Sequence, residues 1–273
     1  MKLTLEHVTF TYPTGVRALD GINLAIKSGE LAALVGENGA GKTTLVKMLN
    51  GLLRPQEGKV TVGGWNTADF STAELASRVG FLFQNPDEQL FERTVRREIA
   101  FGPSNQGFPA RKVASRTKAA LETVELADSA DQNPYDLEPF ERKLLALAAT
   151  LAMETPVLVL DEPSIGQDAA GRHRISRILK ELHKRGRTIL LISHDLDFCA
   201  ENAERAIVMA HGHILADGTT ADVFSQTDTL LKAAVFPPQL IRLAQTLKMS
   251  ANPLTISQFV SAYAKWRNRK KKL

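Results

Sequence analysis

The nine residues Gly36–Thr44, GENGAGKTT, constrain the fold of this chain more than any other stretch. They follow the apolar run Leu31–Val35, LAALV, and open a segment that reads as a helix from about Lys42 to Leu53. The spacing is G-x-x-x-x-G-K-[ST], in the strand–loop–helix setting that the motif requires. Gly36, Gly39 and Gly41 let the backbone wrap a phosphate without side-chain clash. The freed N–H groups and the helix N-terminus then face the anion. Glu37, Asn38, Ala40 and Thr44 complete the expected nucleotide-binding loop. Lys42 would reach the β- and γ-phosphates, and the Thr43 hydroxyl would ligate Mg²⁺.

A second element belongs with the first. Asp161 and Glu162 end the apolar run in PVLVLDEPS, and ligands gather at the open end of a parallel sheet. Asp161 would hold Mg²⁺ directly or through water, and Glu162 would polarise an attacking water. Taken alone, such a pair could equally cap the turn at Pro163. Beside a phosphate loop, the chemical reading is favoured.

The rest of the chain divides by pattern. Residues 3–10 alternate as a half-buried strand. LAALV is apolar on consecutive positions, as in a strand covered on both faces. INLAI, EGKVTVGG and VGFLFQ are further strands. Helical segments dominate from 87 to 154, at Thr94–Phe101, Ala110–Val124 and Phe140–Met153, with loops at Pro103, Gly107, Pro109 and Pro134. Strand and helix then alternate again: VLVL, a helix at about Ala169–Lys184, TILLIS, a helix near Leu196–Asn202, RAIVMA and HILAD. The expectation is an α/β nucleotide-binding core from residues 1–86 and 155–226. A helical subdomain (87–154) interrupts it, and a mostly helical extension (227–273) follows.

Bulk properties exclude some classes. The chain has 273 residues, and its apolar runs are too short to span a bilayer. The N-terminus lacks a signal-peptide pattern. A single cysteine, Cys199, forbids an intrachain disulfide and fits a reducing compartment. Lys265, Arg267, Arg269, Lys270, Lys271 and Lys272 form an acid-free basic end, and removing these six charges turns the formal +4 into −2. A polyanion-binding body is therefore not indicated. The basic end reads as a solvated, disordered tail, with anionic head groups or nucleic acid as the lesser alternative.

These motifs resemble those of the ATP-binding-cassette ATPases over nearly the whole chain. The resemblance implies a P-loop NTPase core of that type. Tyr12, in FTYPTGVRALDGINLAI, matches the aromatic residue that stacks on adenine. Gln84, ending VGFLFQ, matches the glutamine that links Mg²⁺ and the attacking water to the helical subdomain. Ser164–Asp168, SIGQD, fits the loop that crosses the dimer interface. His194, after TILLIS, fits the histidine at the γ-phosphate and catalytic water. The segment QNPDEQLFERTVRREIAFGP and the later PPQLIRLAQTL are similar to the ATPases of energy-coupling-factor and cobalt-type importers. That narrower resemblance implies two ATPase subunits gripping a transmembrane scaffold through a groove near Gln84–Phe101. It also implies a separate membrane subunit that captures the substrate. The plainer reading of Leu90, Phe91, Val95, Ile99 and Phe101 is packing within the subdomain.

One position departs from the family. Where the resemblance calls for L-S-G-G-Q, this chain has Leu137-Glu138-Pro139-Phe140-Glu141. That turn faces the ATP held by the partner's phosphate loop. Pro139 has no N–H to donate, and Phe140 adds bulk where the turn should approach phosphate. A charge at Glu138 placed 4 Å from a phosphate charge is repelled by about 4 kcal/mol at an effective dielectric of 20. The same residues make a good helix start. The expectation is a preserved helix, lost phosphate recognition and an unlike partner whose own turn is intact.

The function expected from the resemblance is an ATPase using ATP and Mg²⁺ at the cytoplasmic face of the membrane. It would power import of a vitamin or metal ion. The alternative is a nucleotide-gated regulatory subunit with little hydrolysis. A cassette acting on nucleic acid is opposed by the slightly acidic body and the absence of a coiled-coil insertion.

Overall fold

The protein, described from a computed structural model over residues 1–270, is built on two sheets. The smaller comprises β1 (Leu3–Thr11), β2 (Arg17–Ile26), β4 (Glu57–Val62) and β5 (Trp65–Asn66), in the order β2-β1-β4-β5, all antiparallel. The larger has six strands in the order β10-β9-β3-β8-β7-β6. They are β3 (Leu31–Val35), β6 (Val79–Leu82), β7 (Val157–Asp161), β8 (Thr188–Ile192), β9 (Arg205–Ala210) and β10 (His213–Thr219). Five run parallel, and β10 returns antiparallel to β9.

The unbroken apolar runs have a direct explanation. Every residue of β3, β7 and β8 is buried. Successive side chains alternate between two cores: Ala32 and Leu34 join one with Val159 and Ile192, while Leu31, Ala33 and Val35 join the other with Leu158 and Leu191. The first core lies between the sheets and takes in α1 (Lys42–Leu49) through Leu45, Met48 and Leu49. The second is covered by helices. Each large apolar side chain so buried contributes about 1.5–3 kcal/mol.

Between β6 and β7 the chain is helical. After α2 (Thr72–Ala76), which precedes β6, come α3 (Val95–Asn105), α4 (Ala110–Val124) and α5 (Pro139–Ala152). α5 is buried along most of its length and packs against both α3 and α4. α6 (Ala169–Lys184) and α7 (Leu196–Asn202) follow β7 and β8, with the boundaries expected. Asp168 and Asp195 cap them, accepting from Gly171 N (2.7 Å) and Phe198 N (2.9 Å).

Three expectations need correction. α1 stops at Leu49 rather than Leu53, because Asn50 caps it and Gly51 turns with φ +74°. α3 runs on through Pro103 to Asn105, past the expected loop, and Ser104 Oγ donates to Ala100 O at 2.7 Å across the proline-bearing turn. The basic end is helical as far as Lys270, since Ile256, Phe259, Val260, Tyr263 and Trp266 recur at helical spacing. Lys271 and Lys272 lie outside the described residues.

The chain ends in α8 (Thr220–Ser225), α9 (Thr227–Lys232), α10 (Gln239–Thr246) and α11 (Ile256–Lys270). The α9–α10 segment is tied back to the core. Glu37 N donates to Ala233 O (3.1 Å), and Gln239 N donates to Asp197 Oδ1 (2.8 Å). No described helix is long and apolar enough to cross a membrane.

Candidate functional site

The phosphate loop bends where its glycines permit. Gly36, Gly39 and Gly41 have φ of +148°, +84° and +100°. A Cβ on Gly36 would sit 2.1 Å from Met209 O, and one on Gly41 would sit 2.4 Å from Ala18 O. Gly39 faces open space, so its constraint is conformational alone. Ala40 N donates to Glu37 O (3.2 Å) and Gly212 N donates to Ala40 O (3.1 Å), fixing the loop's outer edge. The Lys42 ammonium is folded into its own loop and donates to Gly36 O and Glu37 O, each at 2.7 Å. Burial lowers its pKa, opposed by Glu162, Asp161 and Glu37.

The two threonines divide. Thr43 Oγ1 donates to Asp161 Oδ2 at 3.3 Å, whereas Thr44 Oγ1 pairs with Tyr12 Oη at 3.0 Å. Thr44 is buried, so it anchors Tyr12, whose ring also meets Phe10 edge-on. Tyr12, Val16, Ala18, Asn38, Lys42, Thr43, Gln84, Asp161 and Glu162 line one cleft of 210 Å³. The apolar Val16 and Ala18 beside Tyr12 were not anticipated.

The acid pair emerges from β7 in two different settings. Burial raises the Asp161 pKa, and the Glu162 charge adds to the effect; the Thr43 bond, Lys143 and Lys42 oppose it. Glu162 adopts φ +50°, rare for a residue with a side chain. Its N–H donates to Ile192 O (2.9 Å). Its carboxylate accepts from Ser193 Oγ (2.8 Å) and His194 N (2.8 Å), and Oε1 lies 2.8 Å from His194 Nδ1. Gln84 is exposed at the cleft mouth. It also borders a second, 490 Å³ hollow with His194, Asn38, Phe236 and Arg242.

Hard oxygen donors from Asp161 and Thr43, beside a phosphate loop, fit Mg²⁺. That ion typically takes one or two protein ligands and fills its sphere with phosphate and water.

Sequence reasoning missed Lys143. Its Nζ donates to Phe83 O (2.8 Å), Gln84 O (2.6 Å) and Asp161 O (3.2 Å). Burial lowers its pKa to about 8, against the opposing pull of Asp161 and Glu162. In the sequence it is one more lysine at a helix start. Ser193 was missed as well.

The divergent turn is a helix N-terminus closed on itself. Pro139 occupies the first position of α5, and Glu138 N donates to Glu141 Oε2 at 3.0 Å. Phe140 is 41 % exposed, and its carbonyl accepts from Gln167 Nε2 at 3.0 Å, joining the turn to the Ser164–Asp168 loop. The five apolar residues of the 90–101 segment separate cleanly. Leu90, Val95 and Ile99 are buried, whereas Phe91 (60 % exposed) and Phe101 (40 %) stack edge-to-face on the surface.

A parallel sheet with a phosphate loop after one strand and an acid pair after another defines a P-loop nucleotide-binding protein. The sequence profile of the ABC transporter family matches residues 19–165, and the chain belongs to that family. It is 40% identical over 245 residues to the energy-coupling factor transporter ATP-binding protein EcfA of Methanocaldococcus jannaschii, covering 89% of this chain and 88% of the relative. It is 41% identical over 244 residues to a putative ABC transporter ATP-binding protein of Methanosarcina acetivorans. That match covers 89% of this chain but 40% of the relative, so the chain spans less than half of that longer protein. Among solved structures, cbiO1 from Clostridium perfringens, part of the ABC transporter complex cbiONQ, superposes with a TM-score of 0.75. The two are 32% identical, and the match covers 90% of this chain and 98% of that one.

Proposed function

We propose that this chain binds ATP with Mg²⁺ and hydrolyses it to power a membrane importer of a vitamin or metal ion. It would act at the cytoplasmic face of the membrane, paired with an unlike second ATPase. The observation that carries the hydrolytic reading is the buried Glu162 carboxylate, which opens on the same cleft as Lys42, Thr43 and Asp161.

In this reading the loop Gly36–Thr44 cradles the phosphates, with Lys42 released from its own carbonyls to the β- and γ-phosphates. Tyr12, anchored by Thr44, stacks on the base. Thr43 and Asp161 hold the metal, with Gln84 at its open side; when bound, Mg²⁺ supplies charge neutralisation on the phosphates. Glu162 orients the attacking water and accepts its proton, and His194 lies against the γ-phosphate. Residues 1–86 and 155–226 act as the nucleotide core, 87–154 as the helical subdomain and 227–273 as the extension.

The pairing reading rests on the start of α5. Glu141 already takes the Glu138 N–H that a phosphate would need, Pro139 offers none, and Phe140 stands out from the surface. The site on this chain's own loop then needs a partner with an intact turn. The exposed Phe91 and Phe101 fit the groove for a transmembrane scaffold, which in turn would contact a substrate-capture subunit. The longer Methanosarcina relative and the cbiONQ membership of the structural neighbour favour multi-component assembly.

The test is to assemble the chain with its partner ATPase and scaffold and to introduce Glu162→Gln here and the equivalent change in the partner, one at a time. Loss of most turnover from the change in this chain, with a minor effect from the other, is expected. Equal losses would refute the asymmetry, and no ATP turnover in the intact assembly would refute the hydrolytic reading.

A further inference from the structure

We propose that Lys143 is a positioning residue for this site: one ammonium holds the Gln84 loop and the Asp161 end of β7 in fixed register with α5. The proposal rests on the ATPase reading above and deepens it.

Lys143 stands on the first turns of α5, only 3 % exposed. An ammonium has three donors and no acceptor. Here three carbonyl oxygens take them: Phe83 and Gln84 from the loop after β6, and Asp161 from the end of β7. These segments lie 59–60 and 18 residues away in the chain. None of the three bonds is to a carboxylate, so the group is not a surface ion pair of small consequence. A buried ammonium is costly unless its bonds are satisfied, and two of this one's three bonds go to the backbones of Gln84 and Asp161, the residues set to face the metal.

The placement has a mechanical consequence. α5 begins at the Glu138–Glu141 turn, which faces the partner in the pairing reading above, and Gln167 joins that turn to the Ser164–Asp168 loop. A displacement of α5 therefore reaches Gln84 and Asp161 together through a single atom. A second tie, Thr150 Oγ1 to Phe81 O at 3.2 Å, joins α5 to the same neighbouring strand but touches neither residue. Thr150 Oγ1 also accepts from Gln89 Nε2 (3.2 Å), whose Oε1 takes the Phe83 N–H (3.1 Å). Its loss can therefore loosen the Gln84 side but reaches no atom of Asp161, and exchange at the Asp161 end is where it serves as the control.

The test uses the full chain with Lys143→Met, Lys143→Arg and Thr150→Val. Without nucleotide, hydrogen exchange in segment 161–166 should quicken about tenfold in Lys143→Met and stay unchanged in Thr150→Val. Titration of a fluorescent ATP analogue should show Mg²⁺-free binding retained through Lys42. The Mg²⁺ concentration for half-maximal tightening should rise 10–100-fold, roughly the loss seen when groups behind metal ligands are removed. Lys143→Arg keeps the charge but spreads its donors over a larger group, so it should fall between wild type and Lys143→Met. If Lys143→Met does not fold, Lys143→Arg alone decides: a wild-type Mg²⁺ midpoint and wild-type exchange overturn the proposal. Equal effects in Lys143→Met and Thr150→Val also overturn it, leaving a packing role. Exchange is read without nucleotide, so it stands even if the wild-type chain fails to bind ATP, a result that would instead sink the ATPase reading.

Discussion

Glu162 and His194 meet at a single carboxylate oxygen: Glu162 Oε1 accepts the His194 backbone N–H and lies 2.8 Å from its Nδ1. With Ser193 on the other oxygen, the carboxylate is fully engaged by the loop after β8. The His194 side chain is 59 % exposed, so its ring is the partner able to swing away and admit a water. Glu162→Gln keeps the shape and removes the base of the proposed reaction. Turnover should fall by about 10²–10⁴-fold, with ATP binding retained or tightened, because the change leaves the Lys42 bonds in place and removes a negative charge beside the phosphate loop. Phosphate release and nucleotide titration on the same preparation check both halves.

The three loop glycines should not be equivalent. Alanine at Gly36 or Gly41 meets a backbone oxygen at 2.1 or 2.4 Å, in addition to its unfavourable φ. Alanine at Gly39 meets nothing within 4 Å and carries only the conformational strain, about 1–3 kcal/mol. Thermal melting should rank Gly39→Ala as the mildest. Nucleotide binding should survive in it and be lost in the other two; three equal shifts would contradict the geometry.

Rebuilding the divergent turn as Ser-Gly-Gly-Gln at 138–141 should raise hydrolysis at the partner's nucleotide in the assembled complex. It should also weaken α5. The change removes Pro139 from the first helical position and introduces two glycines, each costing roughly 0.5–1 kcal/mol, while a serine at 138 and a glutamine at 141 can still form a capping box. Higher turnover with a lower melting temperature is the expected pair of results. A lower melting temperature with no gain in turnover would mean that phosphate recognition was not limiting.

Glu98 predicts a pH dependence. It is 3 % exposed, and its Oε2 accepts from Phe91 N (2.8 Å) and Glu92 N (2.7 Å), setting the loop that displays Phe91. Burial raises its pKa above the ordinary 4.5, partly offset by the Glu92 and Phe91 N–H bonds. The folded state therefore holds a proton that the unfolded state has released. Glu98's contribution to stability is full below pH 4.5 and is lost as pH rises through the raised native value. Glu98→Gln keeps an acceptor for both N–H groups and cannot titrate. Urea unfolding across that window should show wild-type stability falling relative to the variant as pH rises. Parallel curves would rule out this assignment.

Much of the site was legible because its chemistry is local. The phosphate loop is one contiguous stretch, and Asp161 and Glu162 are adjacent. β3, β7 and β8 were recognisable as strands buried on both faces because each position meets one of two cores. Lys143 was not legible, since its role lies in carbonyls up to 60 residues away and its own neighbours form an ordinary helix start. Ser193 was hidden for the same reason. The basic end is helical against expectation because the apolar spacing from Ile256 to Trp266 sets its conformation, whereas a run of like charges taken alone favours a solvated tail. In the 90–101 segment, sequence could not separate packing from display. The fold does so, burying Leu90, Val95 and Ile99 and leaving Phe91 and Phe101 outside.

The tie between Glu37 and Ala233, with that between Asp197 and Gln239, bears on where this polypeptide can be cut. A fragment ending at residue 226 would look like a minimal nucleotide unit. It would strip one wall from the hollow beside Gln84 and His194, and leave a phosphate-loop amide without its acceptor. The transplantable module therefore runs at least through Arg242, and a reporter or tether fused at 226 would be joined to an open edge.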